Sequence, residues 1–445
     1  MPICLLLSWI FRHDLDYLAN KQIQRWIEKQ EGSLAISSDG STTKKEGLSI
    51  LAVGLVNADN EFISLKTTLV AEKDAKNTAS NIMGVLPTSC LSKINASIGD
   101  SAHVQQLTTK LVHKALQEIN NDQKTRSSFI CGLHTKASCS RNTEAKMPDE
   151  YKQLYRDIQI AFSQRLNKGH RTESLAVMLE DELIEFNQKI SGVRFVSNLG
   201  SRAGSIGNNA FAFLVYRSEV KSVINERIQQ LEEKNKDDGK LERLRRIVSF
   251  LDEENLDTTM VHMGSHLMLW YGVSQRISKL ENNKLTITEK KAVIAKCEER
   301  YQKLLSETDP GEPYERLLAI SADASLSQTQ RNVINECGRA YLNASLELKK
   351  EVNDYIYNAS DSALLKLKKD TKAYMDLADS DEYVISTNQM AESVFAVYKH
   401  YELQFPSMSN DVIETLTRCA RNKVEAFSLE AFYNPNFRPV NGLKN

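Results

Sequence analysis

Between Ser33 and Val70 short apolar runs alternate with polar turns. Leu34 and Ile36 alternate with smaller residues, Leu48 to Val56 is apolar almost throughout, and Phe62 to Val70 forms a third run. This pattern predicts a three-strand meander whose middle strand is buried on both faces. Hairpin connections are expected over Gly40 to Gly47 and Asn57 to Glu61, which carry the Gly, Asn and Asp such turns prefer. Asp39 is expected to close the first strand. Glu72 to Leu86 reads as a helix broken at Pro87. Lys93 to Asp100 alternates through Ile94, Ala96 and Ile98 at strand spacing and also ends on an aspartate. Ser101 to Asn120 then carries Val104, Leu107, Leu111, Ala115, Leu116 and Ile119 at helical spacing, and Ser128 to His134 is a further short apolar run.

From about Glu144 to Thr371 strands nearly vanish from the pattern. Tyr151 to Leu166, Ser174 to Ile190, Asn209 to Leu231, Lys240 to Leu251 and Leu326 to Thr371 read as helices. The turn Lys236-Asp237-Asp238-Gly239 marks a helical hairpin. No repeat is visible, which favours an irregular helical block over a solenoid. Near the end, Ser386 and Gln389 are spaced as a capping box. The helix they open shows the apolar stripe Ala391, Val394, Phe395 and Tyr398, with Glu392 at its edge. The apolar N-terminus, Pro2 to Phe11, is too short to span a bilayer and has no basic residue before it. A packing helix continued by Tyr17, Leu18, Ile23 and Trp26 is expected there, not a secretory signal.

Composition narrows the classes. The chain has 445 residues, 41% of them apolar and 26% charged, which fits a globular protein with room for two or three domains. Its 57 basic and 58 acidic residues leave a net charge of −1, so no broad basic surface for nucleic acid is implied. Only 8 prolines and 18 glycines argue for helix-rich structure with few flexible linkers, and 7 scattered cysteines suit a reducing compartment.

The element order is three antiparallel strands, a helix, a strand, a helix and a strand. That is the order of a ribonuclease H-like fold, in which the first and fourth strands lie side by side and bring Asp39 and Asp100 together. On spacing alone Asp59 and Asp122 compete with Asp100, and Glu382 and Glu402 compete with Glu392. The combination resembles the transposase core of the hAT superfamily of DNA transposons, or a domesticated relative. Asp39 with Gly40-Ser41-Thr42 resembles that family's first catalytic position, and Ile98-Gly99-Asp100-Ser101-Ala102 the second. Cys131-Gly132-Leu133-His134 matches its Cys-x-x-His, although Thr135-Lys136-Ala137 replaces the usual sequel. Phe195 to Arg202 with Asn208-Asn209-Ala210 is similar to a stretch early in the family's helical insertion. Thr387 to Phe395 resembles the third catalytic position, and Ser407 to Asn422 the dimerisation tail.

The resemblance implies a mixed α/β, ribonuclease H-like sheet with an all-α domain inserted before the last catalytic helix. The expected parts are an N-terminal helical segment (1–30), the first part of the core (31–143), the helical insertion (144–375), the last part of the core with the tail (376–432) and a C-terminal tail (433–445). It implies a nuclear, at least dimeric protein that binds DNA, with no membrane, and with DNA recognition supplied by a separate domain or partner chain. Three carboxylates, Asp39, Asp100 and Glu392, would hold two Mg²⁺ or Mn²⁺ ions about 3.5 to 4 Å apart for in-line phosphodiester displacement. Serine at position 41 counts against the Asp-x-Glu signature of a 3′ to 5′ exonuclease. Arg202, Trp270, Arg243 and Arg245 are the candidate DNA contacts; core packing is the competing role for Trp270, as a solvated helix face is for Lys240 to Arg246. The competing functional class is a catalytically idle relic kept as a scaffold. Cys131 and His134 make at most half a zinc site, since Cys139 and His113 offer no tidy second pair. His262 and His266 lack the glutamate of a zinc protease.

Overall fold

The computed structural model describes residues 3–42, 49–70, 74–162, 175–195, 205–233, 239–269, 275–282, 284–306, 322–378, 388–405 and 408–424. In chain order they form α1 (Ile3–Glu28), β1 (Leu34–Thr42), β2 (Ser49–Val56), β3 (Phe62–Val70), α2 (Ala75–Val85), β4 (Ile94–Gly99), α3 (His103–Asn120), β5 (Ser127–Ile130) and α4 (Gly132–Ala145). There follow α5 (Asp149–Ala161), α6 (Leu175–Glu185), α7 (Ser205–Val215), α8 (Arg217–Glu233), α9 (Gly239–Ser249), α10 (Glu253–Leu269), α11 (Ile287–Ser306), α12 (Gln328–Met375), α13 (Gln389–Gln404) and α14 (Asn410–Arg421). The protein is therefore mixed α/β. The chain divides into two compact units: Met1–Gly132 with Leu280–Lys291 and Asp370–Asn445, and Leu133–Lys279 with Ala292–Lys369.

The first unit is built on one five-stranded sheet in the order β3-β2-β1-β4-β5. β1 and β3 each pair antiparallel with β2, whereas β4 pairs parallel with β1 and β5 parallel with β4. The β2–β3 connection is the expected turn, with Asn57 N–H donating to Glu61 O and Asn60 at φ 62°. β1 does not end at Asp39. Gly40, Ser41 and Thr42 continue its pairing opposite Leu51, Ile50 and Ser49, because an apolar partner strand outweighs the turn preference of those residues. β5 is shorter than its apolar run suggests: it ends at Ile130, and Gly132 already opens a helix.

Alternation along the strands splits the sheet into two faces. On one, Leu34, Ile36, Leu51, Val53, Leu55, Ile63 and Leu65 form a core with residues of α1, α2 and α3. On the other, Ile50 and Ala52 pack against Val394, Phe395 and Tyr398 of α13 and Ile413 of α14. The inward side of α3 differs from its expected stripe. Thr108, Thr109, Val112 and Leu116 are buried while Val104, Leu107 and Ile119 are exposed. The small threonines let α3 approach α2, where Thr108 Oγ1 donates to Ala75 O at 3.4 Å.

Among its described residues the second unit contains helices and no strand. Its core includes Tyr151, Leu154 and Ile158 of α5 and Val220, Val223 and Ile224 of α8. Phe162 stacks on Phe195 with centroids 4.2 Å apart. Buried Asp157 on α5 accepts from Arg246 Nε on α9 at 3.0 Å and lies 3.5 Å from Arg243 Nε, so a shared carboxylate joins the two helices. Among the described residues no helix is long and apolar enough to cross a membrane.

Candidate functional site

The carboxyl ends of the parallel strands β1 and β4 collect the chemistry. Ligand sites of open α/β sheets lie outside such ends, where neighbouring strands part. The register pairs Ala35 with Ala96, Ile36 with Ser97 and Ser37 with Ile98. The pairing stops there, two residues before Asp39 on one strand and Asp100 after the other. Asp39 is 4% exposed and its Oδ1 accepts the Gly40 amide at 2.8 Å. It faces the α13 side, since its cross-strand neighbour Ala52 belongs to the α13 cluster. Asp100 is half-buried and its Oδ1 accepts the Ala102 amide at 2.8 Å. That bond forms the turn that leads into α3, whose N-cap Ala102 has no capping side chain.

Asn388 supplies the third side. It is fully buried and precedes α13. Its Oδ1 accepts from Ser37 Oγ at 2.5 Å, its Nδ2 donates to the Ser38 carbonyl at 2.9 Å, and its backbone amide donates to Cys131 Sγ at 3.3 Å. The Asn388 carbonyl in turn accepts the Glu392 amide at 3.0 Å, which places Glu392 one turn into the helix on the same side as Asn388. Two turns further on, Lys399 Nζ donates to Ser41 Oγ at 3.3 Å. α13 therefore runs along β1 from Ser37 to Ser41, with Glu392 between its two attachments. Asp39 Oδ2 and Glu392 Oε1 are both sealed from solvent.

The competing carboxylates lie elsewhere. Asp59 sits in the β2–β3 turn, at the end of the sheet where Val56 pairs with Ala35, about 13 Å of strand before Asp39. Asp122 precedes β5 at that same end and binds Arg126 at 2.8 Å, which holds its carboxyl below the usual range. Glu402 is ten residues beyond Glu392, about 15 Å along the helix. Glu382, Arg202, Trp270 and the capping Ser386 lie outside the described residues, as do Thr387 and Ser407.

The remaining basic candidates are engaged within their own unit. Arg245 Nη2 pairs with Glu232 at 2.7 Å, and Arg243 faces Asp157. Cys131 Sγ serves as an acceptor for Asn388. Beneath β4, His113 Nε2 lies 3.0 Å from Ser97 Oγ, and burial together with the nearby Arg126 pushes its pKa down to about 4. Three carboxylates are the hard oxygen donors that Mg²⁺ and Mn²⁺ prefer, so the residue types suit such ions. Among the described residues no three His, Cys, Asp or Glu side chains are gathered as a metal-holding group. Asn388 and Lys399 are the site residues that sequence pattern overlooks. The available signal for Asn388 was its place at the helix start.

No protein-family model matches this chain, and no curated protein matches it.

Proposed function

We propose that this is a transposase-derived protein of hAT type, with a ribonuclease H-like core that cleaves DNA phosphodiesters and transfers strands through Asp39, Asp100 and Glu392. The observation that carries this reading is the meeting of β1, β4 and the α13 start at one edge of the sheet. Strand order supports it as well: three antiparallel strands followed by two parallel ones, with β1 beside β4. Two divalent cations, Mg²⁺ or Mn²⁺, would stabilise the attacking and departing oxygens when bound. On this reading Asp39 would hold both ions. Asp100 and Glu392 flank it from β4 and α13. The Gly40 amide fixes one Asp39 oxygen. The resemblance also brings nuclear location, a dimer and DNA as partner into this proposal.

The test is Mn²⁺-supported nicking of supercoiled DNA by the full chain, with Glu392→Gln and Asp39→Asn alongside. Nicking by the wild type that both substitutions reduce at least a hundredfold is expected. Nicking that survives both substitutions would refute the assignment.

A second reading has its own observation. The Asp100 oxygen that accepts Ala102 N–H is engaged in starting α3, as suits a relic retained as a scaffold with idle carboxylates. Under that reading the purified wild type neither nicks DNA nor binds Mn²⁺.

A further inference from the structure

We infer that Asn388 is the positioning residue of this site: its side chain holds the first turn of α13 in the gap where β1 and β4 part, and so sets Glu392 over Asp39. The inference rests on the catalytic reading above and names the device that assembles that site.

A helix start does not need this arrangement. An N-cap side chain ordinarily accepts from an amide of its own first turn, but Asn388 makes no such bond. Its amide is directed across to β1 instead. The parallel β1–β4 pairing runs only to Ser37 opposite Ile98, and the next β1 carbonyl, Ser38 O, is taken by Asn388 Nδ2. Asn388 thus stands where the next residue of β4 would otherwise pair. Its Oδ1 takes the hydroxyl of Ser37, and its backbone amide reaches Cys131, the first residue after β5. One buried residue therefore ties α13 to the middle of β1 and to the residue that follows β5, with bonds of 2.5, 2.9 and 3.3 Å. The partners lie some 350 and 257 positions away in sequence. On the far side of the gap, β4 stays paired with β5 through Cys131 N–H to Gly99 O at 3.0 Å, so the frame around Asp100 is itself held.

Glu392 is linked to this anchor by a single turn of helix. The Asn388 carbonyl accepts the Glu392 amide, so displacing Asn388 displaces the backbone from which Glu392 projects. The second attachment, Lys399 to Ser41, is a surface bond about two turns later and leaves rotation of the first turn unrestrained. Packing of Val394, Phe395 and Tyr398 holds the helix on the sheet but is non-directional. Directional bonds at the helix start come from Asn388. Placing a carboxylate to within about 0.5 Å is the requirement of a shared-ion site, and an ångström of misplacement costs on the order of a hundredfold in rate.

The experiment uses the full chain with Asn388→Ala and, as a milder variant, Ser37→Ala, which removes only the donor to Oδ1. Three quantities are measured: kcat and KM for Mn²⁺-supported nicking of supercoiled DNA, Mn²⁺ affinity by electron paramagnetic resonance titration without DNA, and the circular dichroism spectrum. For Asn388→Ala we expect kcat down at least tenfold, KM for DNA within twofold, and Mn²⁺ affinity weakened about tenfold with the helical spectrum retained. Ser37→Ala should show the same pattern at two- to fivefold. If Asn388→Ala fails to fold, Ser37→Ala decides. Wild-type kcat and Mn²⁺ affinity in a folded Asn388→Ala, or in Ser37→Ala when that variant decides, overturn the inference while leaving the catalytic reading intact. A wild type that neither binds Mn²⁺ nor nicks DNA overturns both.

Discussion

Replacing Arg418 with methionine removes the ion-paired cation from a nearly closed charge group while keeping an apolar stem in its place. Arg418 on α14 is 8% exposed at its side chain and pairs with Asp16 of α1 and with Glu414, the latter at 3.6 Å. Its Nη1 also donates to Asn20 Oδ1 at 3.0 Å. Glu414 is 11% exposed at its side chain and accepts the Thr67 amide of the edge strand β3 at 3.2 Å. Removing one partner of a buried pair costs about 3 to 5 kcal/mol. Two features lower that figure: Asp16 is a quarter exposed, and burial already pushes the Glu414 carboxyl upward, against the opposing pull of Arg418. Without Arg418, Glu414 can take up a proton and so escape being a stranded anion. We expect a loss of about 2 to 4 kcal/mol at pH 8.

The sign of the pH dependence follows. A carboxyl raised in the folded state binds more protons there than in the unfolded chain, so its contribution is full below the unfolded value and is lost as pH rises through the folded one. In Arg418→Met the Glu414 carboxyl rises further, and the deficit should be smaller at pH 5 than at pH 8. Urea unfolding followed through Trp26, which packs on the sheet core from α1, measures both. Adding Glu414→Gln, which keeps an acceptor for Thr67, should recover part of the loss at pH 8. A deficit under about 1 kcal/mol at pH 8, or one independent of pH, would refute the claim that this group is an energetically coupled clamp.

His113→Gln keeps a polar partner for Ser97 but cannot titrate. Because His113 is pushed down to about 4, the unfolded chain binds the proton first, and the wild type should lose stability as pH falls from about 6.5 toward 4; urea midpoints across that window should fall less steeply in the variant. Gly54→Ala would set a Cβ 2.3 Å from the Phe62 ring and 2.7 Å from Ile63 O at the β2–β3 irregularity. Since the backbone oxygen cannot yield as a side chain does, a loss of at least about 2 kcal/mol in urea unfolding is expected. On the proposed DNA-cleaving reading a phosphate would meet Lys399 beside the candidate site; fluorescence anisotropy of a labelled duplex across a salt series should then show, for Lys399→Gln, a slope of log K against log salt shallower by about 0.9. Arg245→Gln, whose guanidinium is matched by Glu232, should leave that slope unchanged.

β2 and β3 could be read from the chain because a continuous apolar run and a turn with Asn at its left-handed position leave few other solutions. α3 was legible in extent and not in orientation. Its strongest apolar positions, Val104, Leu107 and Ile119, face outward at 42, 43 and 57% exposure; which side goes inward is decided by how closely α2 can approach. β1 past Asp39 was hidden by Gly40-Ser41-Thr42, a local turn signal overruled by a partner strand. The carboxylates of the candidate site are visible as residue types in order along the chain. The strands and helix that carry them are joined by the β1–β4 pairing and the Asn388 bonds, and neither leaves a periodic trace. A polar residue that satisfies a carbonyl 350 positions away has no local signature, so Asn388 passes as one more residue of the helix-start stretch whose capping-box spacing belongs to Ser386 and Gln389.

The last block of the chain also closes the β3 side of the sheet. Asn422, after α14, bonds both the amide and the carbonyl of Ser64 at 2.9 and 2.8 Å, as a neighbouring strand would. Glu414 takes the Thr67 amide, and Arg418 Nη1 donates to the Leu65 carbonyl at 3.5 Å. These bonds close the β3 edge, which would otherwise offer unpaired groups to another chain. Asn388 does the same inside the sheet, at the Ser38 carbonyl. A chain lacking this block would bare those groups together with the Ile50 and Ala52 side of the sheet, losing the burial of that apolar face and leaving an open strand edge. The block is thus needed for the unit to stand, whether or not the protein cuts DNA. Presence of the α13 helix therefore does not discriminate enzyme from relic. Substitution of Glu392 with glutamine does, because it removes the carboxylate that the catalytic reading requires and leaves the Asn388, Glu414, Arg418 and Asn422 bonds in place.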